Sequence, residues 1–224
     1  MLYKSLLGPR MFDRAAQLSQ MVDRLHCATG KNDWLVTIKE RSHREDKGLF
    51  VYDTDWPNEP RIYVDPGGVQ PSLVLAHELG HFLEFCLIND GDPEGLHRDL
   101  FEPWWNAVRS SNAYGYLCVA FEKRALFARN SDGGSGWRHA TPRQLDDLCY
   151  YLQKHELWAR SYAQYVATSY KTTRTYAEMV ALHNSDAGQT FQAQREPEDF
   201  APISREVHGI LARLGWLHAI KCGC

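Results

Sequence analysis

Apolar residues recur every three to four positions along most of this chain and gather into short β-branched runs only in its first third. Met11, Ala15, Leu18, Val22 and Leu25 put one apolar stripe on residues 10–27, which predicts an amphipathic helix. Three short strands are predicted after it, from WLVTIKE (34–40), GLFVYD (48–53) and RIYVD (61–65), with turn-forming residues in KGL and DTDWPNEP between them. DPGGVQP then makes a turn that leaves Pro71 at the first position of a helix. The apolar pattern of that helix runs to Ile88 and stops at NDGDPEG.

Residues 98–128 are predicted helical with an interruption at Pro103, and RNSDGGSGW (129–137) as a loop. Thr141-Pro142-Arg143-Gln144 has the form of a capping box with Pro at the first helical position. Helix is predicted from there towards Tyr170, with a break near Lys154. A second loop spans 184–202 and a closing helix about 204–220. Strands clustered early and helices afterwards argue for an α+β fold. A length of 224 residues fits one domain, 1–224, in which 98–140 reads as an insertion or lid.

Composition narrows the function classes. The formal net charge of −3 argues against a dedicated nucleic-acid surface. No apolar run approaches the roughly 20 residues of a membrane span. The first 25 residues do not have the form of a secretion signal, because Gly8-Pro9 breaks their apolar patch and charges recur after it. The expected location is therefore cytoplasmic. The six cysteines contain no CxxC pair and read as reduced thiols.

The candidate chemistry sits in SLVLAHELGHFLEF (72–85). His77 and His81 are four apart and so share one helix face, where two imidazoles can reach one zinc ion. Glu78 projects beside such a metal, suited to take a proton from water and pass it to a leaving amine. With 10 histidines and 13 glutamates in the chain, chance would supply an HExxH roughly 0.03 times. An apolar helix also has little reason to carry His, Glu and His unless they are paired or metal-bound. Zn²⁺ is the expected cofactor.

A catalytic zinc takes three protein ligands and keeps one position open. The pattern HExxHxxGxxH fails here, since Glu84 and Leu87 stand where Gly and the third His belong. A Glu from a later helix is the alternative, and the best candidate is Glu156 in KHELWARSYAQYV (154–166). Ala159, Ala163 and Ala167 follow it at helical spacing, a small-residue face suited to close approach by the HExxH helix, and Arg160 one turn on is expected to hold its carboxylate. Glu122, His97, His139 and Glu84 are the rivals.

HELGH with a later Glu on a second helix resembles the gluzincin group of zinc metallopeptidases. YYLQKHELWARSYAQYV resembles the E-[LF]-x-A-R motif of small zincin domains in polyvalent proteins of phages and mobile elements. The likeness covers residues 61–85 and 150–167. It implies a zincin-like fold, His77, His81 and Glu156 as ligands and Glu78 as base. It further implies a protein or peptide substrate bound in extended form by backbone pairing to GLFVYD or RIYVD. Hydrolysis also needs an oxyanion donor; Tyr150 and Tyr151 are the candidates, with His139 and Tyr165 behind them. Trp104-Trp105 reads as inter-helix packing, and DGGSG (132–136) as a surface loop placed to act as a lid.

Overall fold

The β-branched runs of the first third pair into one sheet. The computed structural model describes residues 3–6, 13, 16–18, 36–41, 48–51, 60–88, 98–129, 135–191 and 194–217. β1 (Tyr3–Leu6), β2 (Val36–Glu40), β3 (Gly48–Val51) and β4 (Arg61–Val64) lie in the order β1-β2-β4-β3. β1 runs parallel to β2 and β2 to β4, whereas β3 pairs antiparallel with β4 at the edge, Gly48 opposite Val64 and Val51 opposite Arg61. Side chains alternate as a pleated sheet requires: Val36, Ile38, Ile62 and Val64 are buried, and the residues between them are half-buried.

Pro71 starts α1 (Pro71–Phe82), whose chain continues into one wide π-helical turn, Leu83–Ile88. These residues wind more loosely than an α-helix, and NDGDPEG, where the stop is predicted, lies outside the described residues. Then come α2 (Arg98–Arg109), α3 (Asn112–Lys123), the hairpin β5 (Ala125–Arg129) and β6 (Ser135–His139), and α4 (Pro142–Leu152). α5 (Lys154–Ser169), α6 (Arg174–His183), α7 (Asp186–Phe191) and α8 (Pro197–Arg213) complete the described chain. The result is α+β and mostly helical.

α1 packs against α5, β3, β4 and α6. α5 is buried without a break from Glu156 to Ala167, which is why its sequence lacks a clear polar face. The main core joins the sheet to α1, α2, α5 and α8, and Phe101, Trp104 and Trp158 meet edge to face in it at 4.8 and 5.5 Å. A smaller core of Leu117, Ala120, Leu126 and Leu148 lies under α3, α4 and the hairpin.

Several expectations change. Residues 3–6 are a strand, formed by parallel pairing with β2 that local sequence does not announce. The helical break falls at Ser110-Ser111 instead of Pro103, because Ser111 caps α3 by accepting from Tyr114 N while Pro103 is accommodated inside α2. Residues 125–129 are not helix but the first arm of a hairpin whose tip lies outside the described residues. The polar stretch 184–202 contains α7 and the start of α8, which opens at Pro197 and carries Pro202 inside. Just past the end of α8, Gly215 at a φ of 71° lets Trp216 N return to Leu211 O.

The capping box on Thr141 is present in both directions, and α4 and α5 part at Gln153 as predicted. Of the predicted helix 10–27, residues 13 and 16–18 are helical and the rest lies outside the described residues. Trp104 is fully buried, in keeping with a packing role. Cys118 and Cys149 are free thiols, and the other four cysteine side chains lie outside the described set. Among the described residues no helix is long and apolar enough to cross a membrane.

Candidate metal centre

The site is built where α1 crosses α5. A Cβ on Gly80 would sit 2.9 Å from the Cα of Ala159, so the glycine of HELGH and the alanine of ELWAR allow the two backbones to touch. Trp158 Nε1 donates to Gly80 O at 3.0 Å and fixes the crossing. The start of α1 is held from elsewhere. Gln70 precedes Pro71 in a left-handed conformation with no side-chain cap of its own. Glu178 of α6 supplies it instead, accepting from Ser72 N at 2.7 Å and Leu73 N at 3.0 Å.

This crossing brings Glu156 onto the histidine face. Its Oε2 lies 3.2 Å from His77 Nε2 and its Oε1 3.2 Å from His81 Nε2, while the two imidazole nitrogens are 3.2 Å apart. The candidate ligand atoms of all three residues fall within 4.8 Å of one another, within reach of a single metal ion. Oε2 is buried yet has no aligned hydrogen-bond donor despite its closeness to His77, so the geometry gathers electron pairs around a common point and leaves one of them unsatisfied.

The electrostatics agree with that crowding. Burial alone would raise Glu156, but the close approach of the His77 and His81 imidazoles holds it well below the usual carboxylate range. Burial lowers His77 below its ordinary value. For His81 the same penalty is outweighed by Glu156, Glu78 and Glu84, and its pKa is raised. Glu84, on the π-helical turn, is pushed up to about 7, mainly by burial.

Two cavities of about 420 and 390 Å³ flank the triad. Both are lined by Gly48, Glu78, Tyr150 and Glu156; the first continues past His77 and the second past His81 and His155. Edge strand β3 closes over them, and at Gly48 it leans directly on Glu78, where a Cβ would meet Oε1 at 2.8 Å. Tyr150 faces the cleft, and burial together with the Glu156 and Glu78 charges pushes its phenol pKa up. Tyr151 lines the first cavity too, but its ring is stacked on Phe191 at 5.3 Å and lies under the Arg160 guanidinium at 4.4 Å.

Arg160 does not hold the Glu156 carboxylate. Its Nε donates to the main-chain carbonyl of Glu156 at 3.1 Å and its Nη2 to that of Tyr151, because one turn of helix turns the guanidinium back along the axis. Glu122 is exposed on α3 and His139 is exposed on β6, and neither lines the cleft. Tyr165 spends its hydroxyl on His208 Nδ1 at 3.0 Å. His97 lies outside the described residues. None of the residues lining either cavity comes from 98–140, so the described part of that stretch does not cover the cleft.

Sequence reasoning passed over two participants. His155 sits 3.8 Å from Glu156 Oε1 and lines the second cavity, and its place next to Glu156 was the available signal. Gly48 gave no signal, since only the folded approach of β3 to Val74 and Glu78 of α1 requires it. Set against known proteins, the chain matches no family model, no curated protein and no solved structure.

Proposed function

We propose that this protein is a zinc-dependent endopeptidase of zincin-like fold, with His77, His81 and Glu156 holding the metal and Glu78 as general base. The observation that carries the reading is the convergence of Glu156 on the two histidines beside Glu78, in an open cleft under an edge strand. Three ligands on a tetrahedral zinc with bonds near 2.0–2.1 Å lie roughly 3.3 Å from one another. The 3.2 Å spacings here fit that figure before any ion is placed. Two imidazoles and a carboxylate are also a donor set that suits zinc and leaves a fourth position for water. An antiparallel edge strand over the HExxH helix, with the third ligand on a following helix, supports the zincin-like assignment.

When bound, zinc would lower the pKa of water to about 7 and polarise a carbonyl. The rest is work for this chain. Glu78 takes the proton as water attacks the peptide carbonyl, then delivers it to the amide nitrogen as the C–N bond breaks. Tyr150, kept protonated in the cleft, donates to the oxygen that gains charge. β4 is inside the sheet and β3 at its edge, so of the two strands suggested by sequence it is β3 that offers backbone groups to an extended substrate. A segment lying along β3 enters through one cavity and leaves through the other, which favours cleavage within a protein over trimming of its ends.

Native mass spectrometry of the untagged chain, followed by a fluorescence-release assay on an unfolded casein substrate, tests this. One zinc per chain and cleavage abolished in Glu78→Gln are expected. Zinc without cleavage would turn the site into a metal-stabilised binding domain, and absence of zinc after reconstitution would remove the reading.

A further inference from the structure

Further along α5 from the metal cluster, Gln164 and Thr168 line another cavity, of about 360 Å³, and the side chain of Gln194 walls both this cavity and the cleft. Its polar centre is Arg195, only 6% exposed. The Arg195 main chain is clamped to the Gln164 amide by bonds of 2.7 and 3.1 Å, so the side chain has little freedom to leave. Yet the guanidinium is poorly matched. Nη1 makes one long contact to Ser161 Oγ at 3.4 Å, and Nε is buried with no hydrogen-bond partner among the described residues. The carboxylates nearby are committed elsewhere: Asp199 accepts from Asn112 N and Ala113 N at 2.7 and 3.0 Å, and Glu196 pairs with His183 at 3.2 Å.

An arginine remains charged in such a place, and a buried cation without a counter-charge is strongly disfavoured. Burial and the neighbouring Arg160 charge push its pKa down, and the Asp199 charge offsets only part of that. Gln194 Oε1 is a second buried atom without a hydrogen-bond partner among the described residues. Lys171 adds a further positive charge to the lining, and α8 begins beside it with no side-chain cap on its free N–H groups. Met179, Val180 and Phe200 add apolar surface to the lining.

We propose that this cavity binds an organic carboxylate with an apolar body, the carboxylate on Arg195 and the body against Met179, Val180 and Phe200. A free organic acid and the C-terminal carboxylate of an apolar peptide share this chemistry. The site stands whether or not the metal centre is a peptidase.

Isothermal titration of the full chain with 3-phenylpropanoate, its neutral amide, inorganic phosphate and a short apolar peptide with free or amidated C-terminus tests it. Saturable one-site binding of the carboxylate is expected, at least about tenfold tighter than the amide. Arg195→Met should abolish it with zinc content unchanged. Ser204→Phe fills the cavity while leaving the guanidinium in place, and should abolish it too. Preference for the free over the amidated peptide identifies a peptide terminus as the source; binding of phenylpropanoate alone identifies a free acid. The inference is overturned by any of four results: no saturable binding of either carboxylate, equal binding of acid and amide, phosphate bound in preference to both, or binding that survives Ser204→Phe.

Discussion

The two ends of α5 bury charges of opposite sign and treat them differently. At the N-terminal end Glu156 meets two imidazoles, so its charge is overmatched by donor atoms that converge on one point. Further along, Arg195, from the segment before α8, is buried against α5 with no carboxylate in ion-pair contact among the described residues, resting on the Ser161 hydroxyl. A buried charge is tolerated when something answers it. The first end is arranged for a cation to complete it and the second for an anion. Two binding potentials of opposite polarity thus lie against one helix, with Gln194 between them.

The strongest way to break this contrast is Glu156→Ala. It should lose zinc entirely on dialysis, read by metal analysis, while phenylpropanoate binding at Arg195 is unchanged. Acidification should do the same to the wild type. His81 has a raised pKa, so protons compete for it already as pH falls through the neutral range; zinc should be held above that range and released below it. Glu78→Gln should lower turnover by about 10²–10⁴-fold with zinc retained, which separates chemistry from binding at the same end.

Gly80→Val, which forces α1 away from Ala159, should cost about 1–3 kcal/mol in thermal unfolding and weaken zinc, and leave the anion end intact. Glu84→Gln probes burial of charge alone. A carboxyl raised to about 7 when folded binds its proton more readily in the native state. The penalty is absent below pH about 4.5 and complete above 7, so this variant of the metal-free protein should gain roughly 1–2 kcal/mol at pH 8 and nothing at pH 4. The smallest effect expected is from Glu178→Ala, about 1 kcal/mol of denaturant stability from the lost cap on α1.

What could be read from sequence was what local periodicity carries. HELGH and its flanks specify a helix and its ligand face, and the alanines after Glu156 mark a surface for close approach; the Gly80–Ala159 contact is that approach. Thr141 and Gln144 cap α4 by a rule confined to four residues. Several of the failures lie in contacts between segments that local periodicity does not see. β1 is a strand because β2 is beside it, and the hairpin 125–139 is set by pairing that its composition does not reveal. Gly48 is explained by the approach of Val74 and Glu78, and the direction of Arg160 by the carbonyls of Glu156 and Tyr151. The cavity at Arg195 is assembled from α5, α6 and α8, and no stretch of sequence contains it.

The cap that Glu178 places on α1 has a consequence for biosynthesis. Ser72 and Glu178 are 106 residues apart in the chain. At about 5–20 residues per second, a ribosome exposes the HExxH segment roughly 5–20 s before the residue that finishes its first turn. Glu156 also emerges late. A nascent chain therefore displays His77 and His81 on a helix that lacks its Glu178 cap, and the cluster closes only after Glu156 and then Glu178 have emerged.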